Sequence, residues 1–242
     1  MDSEISKKSA RWIIFGIVLL SFLATGALVL FRNKIDENIL QPKTDMRSTT
    51  ALPGIEVREY QGEKLSSVDD VVNQGIKGVQ NVDINSYLLA IAGLVGEPKE
   101  FSYSQVLELP KYSKVVSLYC VEGWDAKILW EGVLVKDLIE PSGVKPEANT
   151  VIFYATDGYT TSLPLDYIEK NNILLASKMN DLVLSPAKGF PFQLVAEDKW
   201  GYKWIKWVTK IELSNDPEYR GYWESRGYNN NGDLSGPQRE SH

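Results

Sequence analysis

The run Lys114-Val115-Val116-Ser117-Leu118-Tyr119-Cys120-Val121-Glu122-Gly123-Trp124 decides how the rest of the chain is read. Its first half alternates as a β-strand does, and its second half breaks at a glycine beside an aromatic, a turn signature. A strand that stops there delivers Cys120, the only cysteine among 242 residues, to a strand end, where a side chain can face a pocket. A lone thiol has no disulfide partner. From the residues alone two readings stay open: a small buried hydrophobe, as most free cysteines are, or a soft thiolate ligand for a heavy metal.

Working outward, short apolar runs separated by turn residues continue in both directions. Upstream, Tyr87 to Val95, bounded by Gly96 and Pro98, reads as a strand pair or a bent strand, and Ser104 to Leu109 as a helical turn ended by Pro110. Downstream, Val135 to Ile139 has helical spacing and stops at Pro141. Thr150 to Ala155 reads as a strand running into the turn dipeptide Asp157-Gly158. Leu165 to Lys170 is a short helix, and Ile173 to Met179 and Gln193 to Ala196 are strands. Near the end, Ile205, Trp207, Thr209, Ile211 and Leu213 share one face of a period-two pattern, with Lys206, Val208, Lys210 and Glu212 on the other, which predicts one long half-buried strand. There is no regular strand-helix alternation, no internal repeat and no Gly-x-Gly-x-x-Gly. The fold class expected is α+β with a mixed sheet.

Composition removes several functions. The formal charge is -6, from 26 basic and 32 acidic residues, and no Lys/Arg cluster reaches the density of a nucleic-acid groove. One cysteine excludes a disulfide scaffold, a Cys-x-x-Cys redox pair, a four-cysteine iron-sulfur site and a Cys-x-x-Cys-His haem attachment. The single histidine, His242, lies at the end of a polar stretch, so Ser-His-Asp catalysis and histidine-rich zinc sites are excluded too.

The organisation expected along the chain is a tail over 1–11, a transmembrane helix over 12–31, a linker over 32–54, a domain over 55–223 and a polar tail over 224–242, mobile from Asn229 onward. From Trp12 to Phe31 no residue is charged, and roughly twenty apolar residues in a helix match a bilayer core. A cleaved signal peptide is the competing reading, but its apolar region is shorter, about 7 to 15 residues. Lys7, Lys8 and Arg11 before the span nearly balance Arg32, Lys34 and Lys43 after it, so charge does not decide orientation.

Taken in order, Cys120-Val121-Glu122-Gly123-Trp124 with Trp130, Asp157-Gly158-Tyr159, Gly189-Phe190-Pro191 and Trp200-Gly201-Tyr202-Lys203-Trp204-Ile205-Lys206-Trp207 resemble the molybdopterin-binding domain of the sulfite oxidase family. The likeness is greatest to small bacterial and archaeal members akin to the catalytic subunit of the periplasmic methionine sulfoxide reductase, and covers roughly Leu65 to Leu213. It implies a molybdenum-molybdopterin cofactor whose metal is held by the Cys120 thiolate, and oxygen-atom transfer on a small oxo substrate of sulfite or sulfoxide type.

The resemblance implies further site residues. Thr156 corresponds to a cofactor-side threonine, against the alternative of a turn hydroxyl capping its own backbone. Lys206 approaches the cofactor's anionic end, against the alternative of a solvated strand lysine, while Trp204 and Ile205 offer backbone amides there. Lys203 is expected to be surface charge, and Asp157 and Tyr159 to shape a loop. Gln193 stands where the family motif Gly-x-Pro-x-Arg has arginine, and Lys188, before Gly189, is a candidate replacement cation. The aromatic-acidic cofactor motif of the sulfoxide reductase branch is not recognisable, and Glu59-Tyr60-Gln61-Gly62 occupies its region. With no haem or iron-sulfur motif, the enzyme needs a separate electron-transfer partner, such as a membrane cytochrome. The family places the domain outside the cytoplasm, although the N-terminus has no arginine pair. A cofactor-free binding or assembly module on the same fold is the alternative that Gln193 opens.

Overall fold

The computed structural model describes residues 54–240. The expected tail, membrane helix and nearly all of the linker lie outside them. Among the described residues no helix is long and apolar enough to cross a membrane. The elements in chain order are β1 (Glu59–Tyr60), β2 (Glu63–Lys64), β3 (Leu88–Gly93), β4 (Lys99–Ser102), α1 (Tyr103–Glu108), β5 (Tyr112–Tyr119), β6 (Asp125–Leu134), α2 (Val135–Ile139), β7 (Thr150–Ala155), β8 (Thr160–Pro164), α3 (Leu165–Lys170), β9 (Leu174–Met179), β10 (Leu182–Val183), β11 (Gln193–Val195) and β12 (Val208–Ser214).

Two five-stranded sheets carry the domain. In one, β5, β6 and β9 run antiparallel and β10 and β11 both pair with β9; in the other the order is β4-β3-β12-β7-β8. The β3–β12 pair is parallel and its neighbours are antiparallel, so this sheet is mixed. A single apolar cluster joins them, with Ile128, Trp130 and Leu175 from the first and Leu89, Ile91, Phe153 and Ile211 from the second, each at most 1% exposed. The helices are single turns at sheet edges. Their boundaries follow local chemistry: Ser102 Oγ accepts from the Gln105 amide while Gln105 Oε1 accepts from the Ser102 amide, a capping box that starts α1, and Pro110 follows its end.

Strand β6, which propensity did not single out, turns the Cys120 strand into a hairpin. Tyr119 pairs with Asp125, and Cys120 N–H donates to Trp124 O at 2.9 Å while Gly123 N–H returns to Cys120 O at 3.0 Å. Val116, Leu118 and Cys120 consequently share the buried face. The strand expected from Ile205 begins only at Val208. Trp207 sits in the left-handed region at φ 55, and the pairing with β7 shifts register between Val208 and Lys210. The period-two face is therefore broken: Val208 is buried and Thr209 only half-buried, opposite to the alternation. Trp207 N–H is drawn to Gly189 O and Val208 N–H to Phe192 O, contacts from outside β12 that a continuous strand could not make.

The polar C-terminal stretch is also not free-standing. Leu234 N–H donates to Asp198 O, Trp200 N–H to Gly232 O, and Lys199 forms an ion pair with Asp233. Glu224, expected at the start of a polar tail, is fully buried. Its carboxylate lies 2.6 Å from Lys203 Nζ, and both side chains have zero exposure, which corrects the expectation that Lys203 is surface charge. Thr161 donates to the same carboxylate oxygen and Lys203 also donates to Ser162 O. Desolvation pulls the Lys203 pKa down against the opposing pull of Glu224.

Candidate functional site

The hairpin tip at Cys120, the 186–193 turn, the 200–207 segment and the irregular run Val71–Gly78 enclose a cavity of about 630 Å³. It is lined by Cys120, Lys188, Gln193, Trp204, Ile205 and Lys206, so six of the seven residues singled out from the sequence meet in one place. Thr156 does not. It is exposed, and its Oγ1 donates to Trp207 O at 3.4 Å, so it caps neither a ligand in the cavity nor its own turn but a carbonyl of the 200–207 segment. Its neighbour Asp157 lines the cavity instead, 2% exposed, with Oδ1 accepting from Tyr159 N–H and Oδ2 without a partner.

Cys120 is 6% exposed, with Sγ 3.7 Å from Gln74 Oε1. Gln74 Nε2 in turn donates to the Glu122 carboxylate. Burial pushes the Cys120 thiol up, and the Glu122 charge adds to the shift, so this is no free thiolate waiting for an electrophile. Such a sulfur becomes a ligand only where a cation offsets the charge it takes on.

The lysines form a second cluster. Lys206 Nζ lies 3.0 Å from Asn73 Oδ1, 3.4 Å from Ala187 O and 4.5 Å from the centroid of the Trp207 ring. Desolvation, with Lys188 adding to it and Asp157 opposing, lowers its pKa to about 8. Lys188 Nζ donates to Val71 O, and its own pKa is lowered by burial. The two chain segments are held close by Gly189: at φ +94, a Cβ there would come within 2.9 Å of Lys206 Cγ. Gln193, 3% exposed, has an unpartnered Oε1, and Trp124 Nε1, also on the cavity wall, is unpartnered as well.

The amides expected from Trp204 and Ile205 are engaged internally. Trp204 N–H donates to Gly201 O and Ile205 N–H to Lys203 O, because the single turn at Gly201–Lys203 closes on itself. Glu59–Gly62 proves to be the tip of the small β1–β2 hairpin, and Val71–Gly78 is the upstream segment on the cavity wall. Sequence patterning missed that run because it is neither strand nor helix. Its one signal is Gly75, where a Cβ would lie 2.7 Å from the Trp207 ring. Tyr222, Trp223 and Tyr228 were also unassigned, since aromatics at such spacing are more often packing. They line the cavity beside Tyr159 and Tyr202, with neighbouring ring centroids 5.0 to 5.7 Å apart.

Buried, unpaired polar atoms on a cavity wall are expensive unless something fills the space. Here Gln193 Oε1, Asp157 Oδ2 and Trp124 Nε1 surround a volume large enough for a sizeable ligand, with two ammonium groups nearby. Two acceptors, one N–H donor and two ammonium groups fit an anionic, hydrogen-bonding heterocycle such as a phosphorylated pterin. The family model described as an oxidoreductase molybdopterin binding domain matches residues 76–223, and the chain belongs to that family.

Three proteins give the likeness its scale. The uncharacterized oxidoreductase YuiH of Bacillus subtilis is 36% identical over 158 residues, 65% of this chain and 79% of that protein. The protein-methionine-sulfoxide reductase catalytic subunit MsrP of Campylobacter jejuni is 28% identical over 231 residues, 85% of this chain and 75% of that one. The solved sulfane dehydrogenase SoxCD of Paracoccus pantotrophus superposes with a TM-score of 0.55 at 23% identity, covering 57% of this chain and 41% of that chain, a likeness of fold.

Proposed function

We propose that the protein is a molybdenum-molybdopterin oxidoreductase that moves an oxygen atom to or from a small substrate of sulfite or sulfoxide type, with Cys120 as the protein ligand of the metal. The observation that carries this is the meeting of a buried, solitary thiol at a hairpin tip with two lysines and three unpartnered polar atoms around one cavity. The bound group supplies two-electron oxygen-atom chemistry. Reducing a sulfoxide consumes two electrons and two protons and yields a thioether and water; oxidising sulfite consumes water and yields sulfate, two electrons and two protons.

The chain's own residues hold and shape. The β5–β6 hairpin fixes Cys120 Sγ, and Gln74, itself held by Glu122, packs against that sulfur. Lys188 and Lys206 face the cofactor's negative charge in place of the arginine that Gln193 replaces, as point charges without the bidentate fork. Gln193 Oε1 and Asp157 Oδ2 would accept from ring N–H and amino groups, and Trp124 Nε1 would donate to a ring carbonyl or nitrogen. In a cofactor-free module those atoms would rely on ordered water filling the cavity.

One cysteine and one histidine are too few for an iron-sulfur cluster or a bis-histidine haem in this chain, so electrons pass to or from a separate redox protein. The uncharged run Trp12 to Phe31 supports a single-pass membrane anchor, and the family supports a domain outside the cytoplasm; protease treatment of intact spheroplasts, which should digest the domain, checks both. For the enzyme itself, elemental analysis of protein from a host that makes the cofactor should give about one molybdenum per chain, with Cys120→Ser reducing turnover to background. Well-folded protein free of molybdenum from several competent hosts overturns the reading.

A further inference from the structure

The charges around the cavity are sorted. Among the described residues four charged side chains line it, Lys188, Lys206, Asp157 and Glu122, and none is an arginine. The two lysines belong together: the charges that act on Lys206 are Lys188 and Asp157. At the Cys120 end the charged neighbour is Glu122, which acts on the thiol and is tied to Gln74. The wall continuing from this end is aromatic. Tyr202 stacks edge-on with Tyr228 at 5.0 Å, and Trp223 meets both Tyr222 and Tyr228 at 5.3 Å.

Trp223 is 37% exposed while lining the cavity, so its ring is open to an entering molecule. Two guanidinium groups lie close behind this wall, Arg226 3.7 Å from the Tyr222 centroid and Arg239 4.7 Å from that of Tyr228. Neither lines the cavity. Arg226 is also committed to Tyr222 O at 2.6 Å and to Ser225 Oγ. An oxyanion bound beside Cys120 would meet a carboxylate and electron-rich ring faces with no cation to receive it. The same surroundings attract a positive charge and tolerate a neutral apolar group.

We propose that the Cys120 end of the cavity is a subsite for an organic sulfoxide, or its thioether product, that carries no negative charge, and that Glu122 and Trp223 are its specificity-determining residues, so that sulfite is turned away. This rests on the reading of the site as an oxygen-transfer centre, but it is a statement about charge selection and can be tested apart from turnover. Three probes share one methylsulfinylethyl group and end in a cation, a neutral group or an anion of similar size: 2-(methylsulfinyl)ethyltrimethylammonium, 2-(methylsulfonyl)ethyl methyl sulfoxide and 2-(methylsulfinyl)ethanesulfonate. Their dissociation constants are measured on the purified holoenzyme by quenching of tryptophan fluorescence at low salt, with sulfite as a fourth ligand and molybdenum content determined on the same samples.

The cation is expected to bind about tenfold more tightly than the sulfonate, with the neutral probe between them. Glu122→Gln should shrink that ratio to about threefold and Glu122→Lys should reverse it, while Trp223→Leu weakens the cation and leaves the sulfonate unchanged. Equal or tighter binding of the sulfonate or of sulfite overturns the proposal, as does a ratio indifferent to both Glu122 variants. Molybdenum present together with an anion preference removes the charge assignment and leaves the enzyme class standing. A cation preference in protein without molybdenum does the opposite.

Discussion

Lys203 and Lys206 are three residues apart in one segment, yet they stand in opposite kinds of buried polar site. Around Lys203 the ammonium is answered on two sides, by Glu224 Oε1, which Thr161 also donates to, and by Ser162 O. Only Glu224 Oε2 is left without a partner, packed into the interior and not lining the cavity. Around Lys206, by contrast, Gln193 Oε1 and Asp157 Oδ2 are left unpaired on a cavity wall. The difference separates a polar group that holds structure from one that awaits a ligand. A closed network contributes stability and tolerates nothing new, whereas an open one lowers the stability of the empty protein and recovers it on binding.

The sharpest way to break this contrast is at Glu224. Glu224→Leu leaves the Lys203 ammonium buried and bare, and urea unfolding should register a loss of about 3 to 5 kcal/mol. The double change Lys203→Met with Glu224→Leu should recover most of it. If the single and double variants are equally unstable, the pair is not the lock described.

Next in size is the pH response of the empty protein at the open site. Lys206 has its folded pKa lowered from the ordinary 10.5 to about 8. Between those values the unfolded chain holds a proton that the folded chain has lost, so stability rises with pH from about 8 to about 10.5. The gain is on the order of 2 kcal/mol after allowing for residual solvation, and Lys206→Met should abolish it. Affinity for an anionic ligand runs the other way, falling as pH passes about 8.

How much of this was legible in the sequence follows the same division. Strands and single-turn helices with clean periodicity, such as Thr150 to Ala155 and Val135 to Ile139, appear where patterning put them, since burial of one face dictates both pattern and structure. Strand β6 was passed over because Leu129, between the buried Ile128 and Trp130, is itself only 7% exposed and blurs the alternation. The break at Trp207 was invisible because it answers to Gly189 and Phe192, remote in sequence. Lys203 was misjudged for a related reason: its partner lies twenty-one residues further on, in a stretch whose composition reads as solvent. Order and spacing of motifs picked out six residues that line one cavity; which neighbouring residue turns inward, Thr156 or Asp157, depended on backbone geometry that spacing does not carry.

Smaller effects test the open site directly. Lys188→Ala and Lys206→Ala should each weaken cofactor retention about tenfold during dialysis, read as molybdenum per chain, and Lys188→Ala should shift the unfolding free energy of the empty protein by no more than about 1 kcal/mol. The smallest effect is expected at Gln193→Leu. Removing an orphaned acceptor should leave the empty protein unchanged or more stable by about 1 kcal/mol in urea, even as molybdenum content falls.

The family match stops at Trp223, one residue before Glu224. An expression boundary drawn by similarity would therefore sever the Lys203–Glu224 pair and strand a cation in an oil-like interior, and the product would be judged insoluble for a reason unrelated to catalysis. Extending the reading frame through Glu240 keeps the carboxylate and the backbone contacts of Gly232 and Leu234. For trimming, grafting or fusing this domain, its edge is electrostatic, and it lies beyond the last residue that the family model matches.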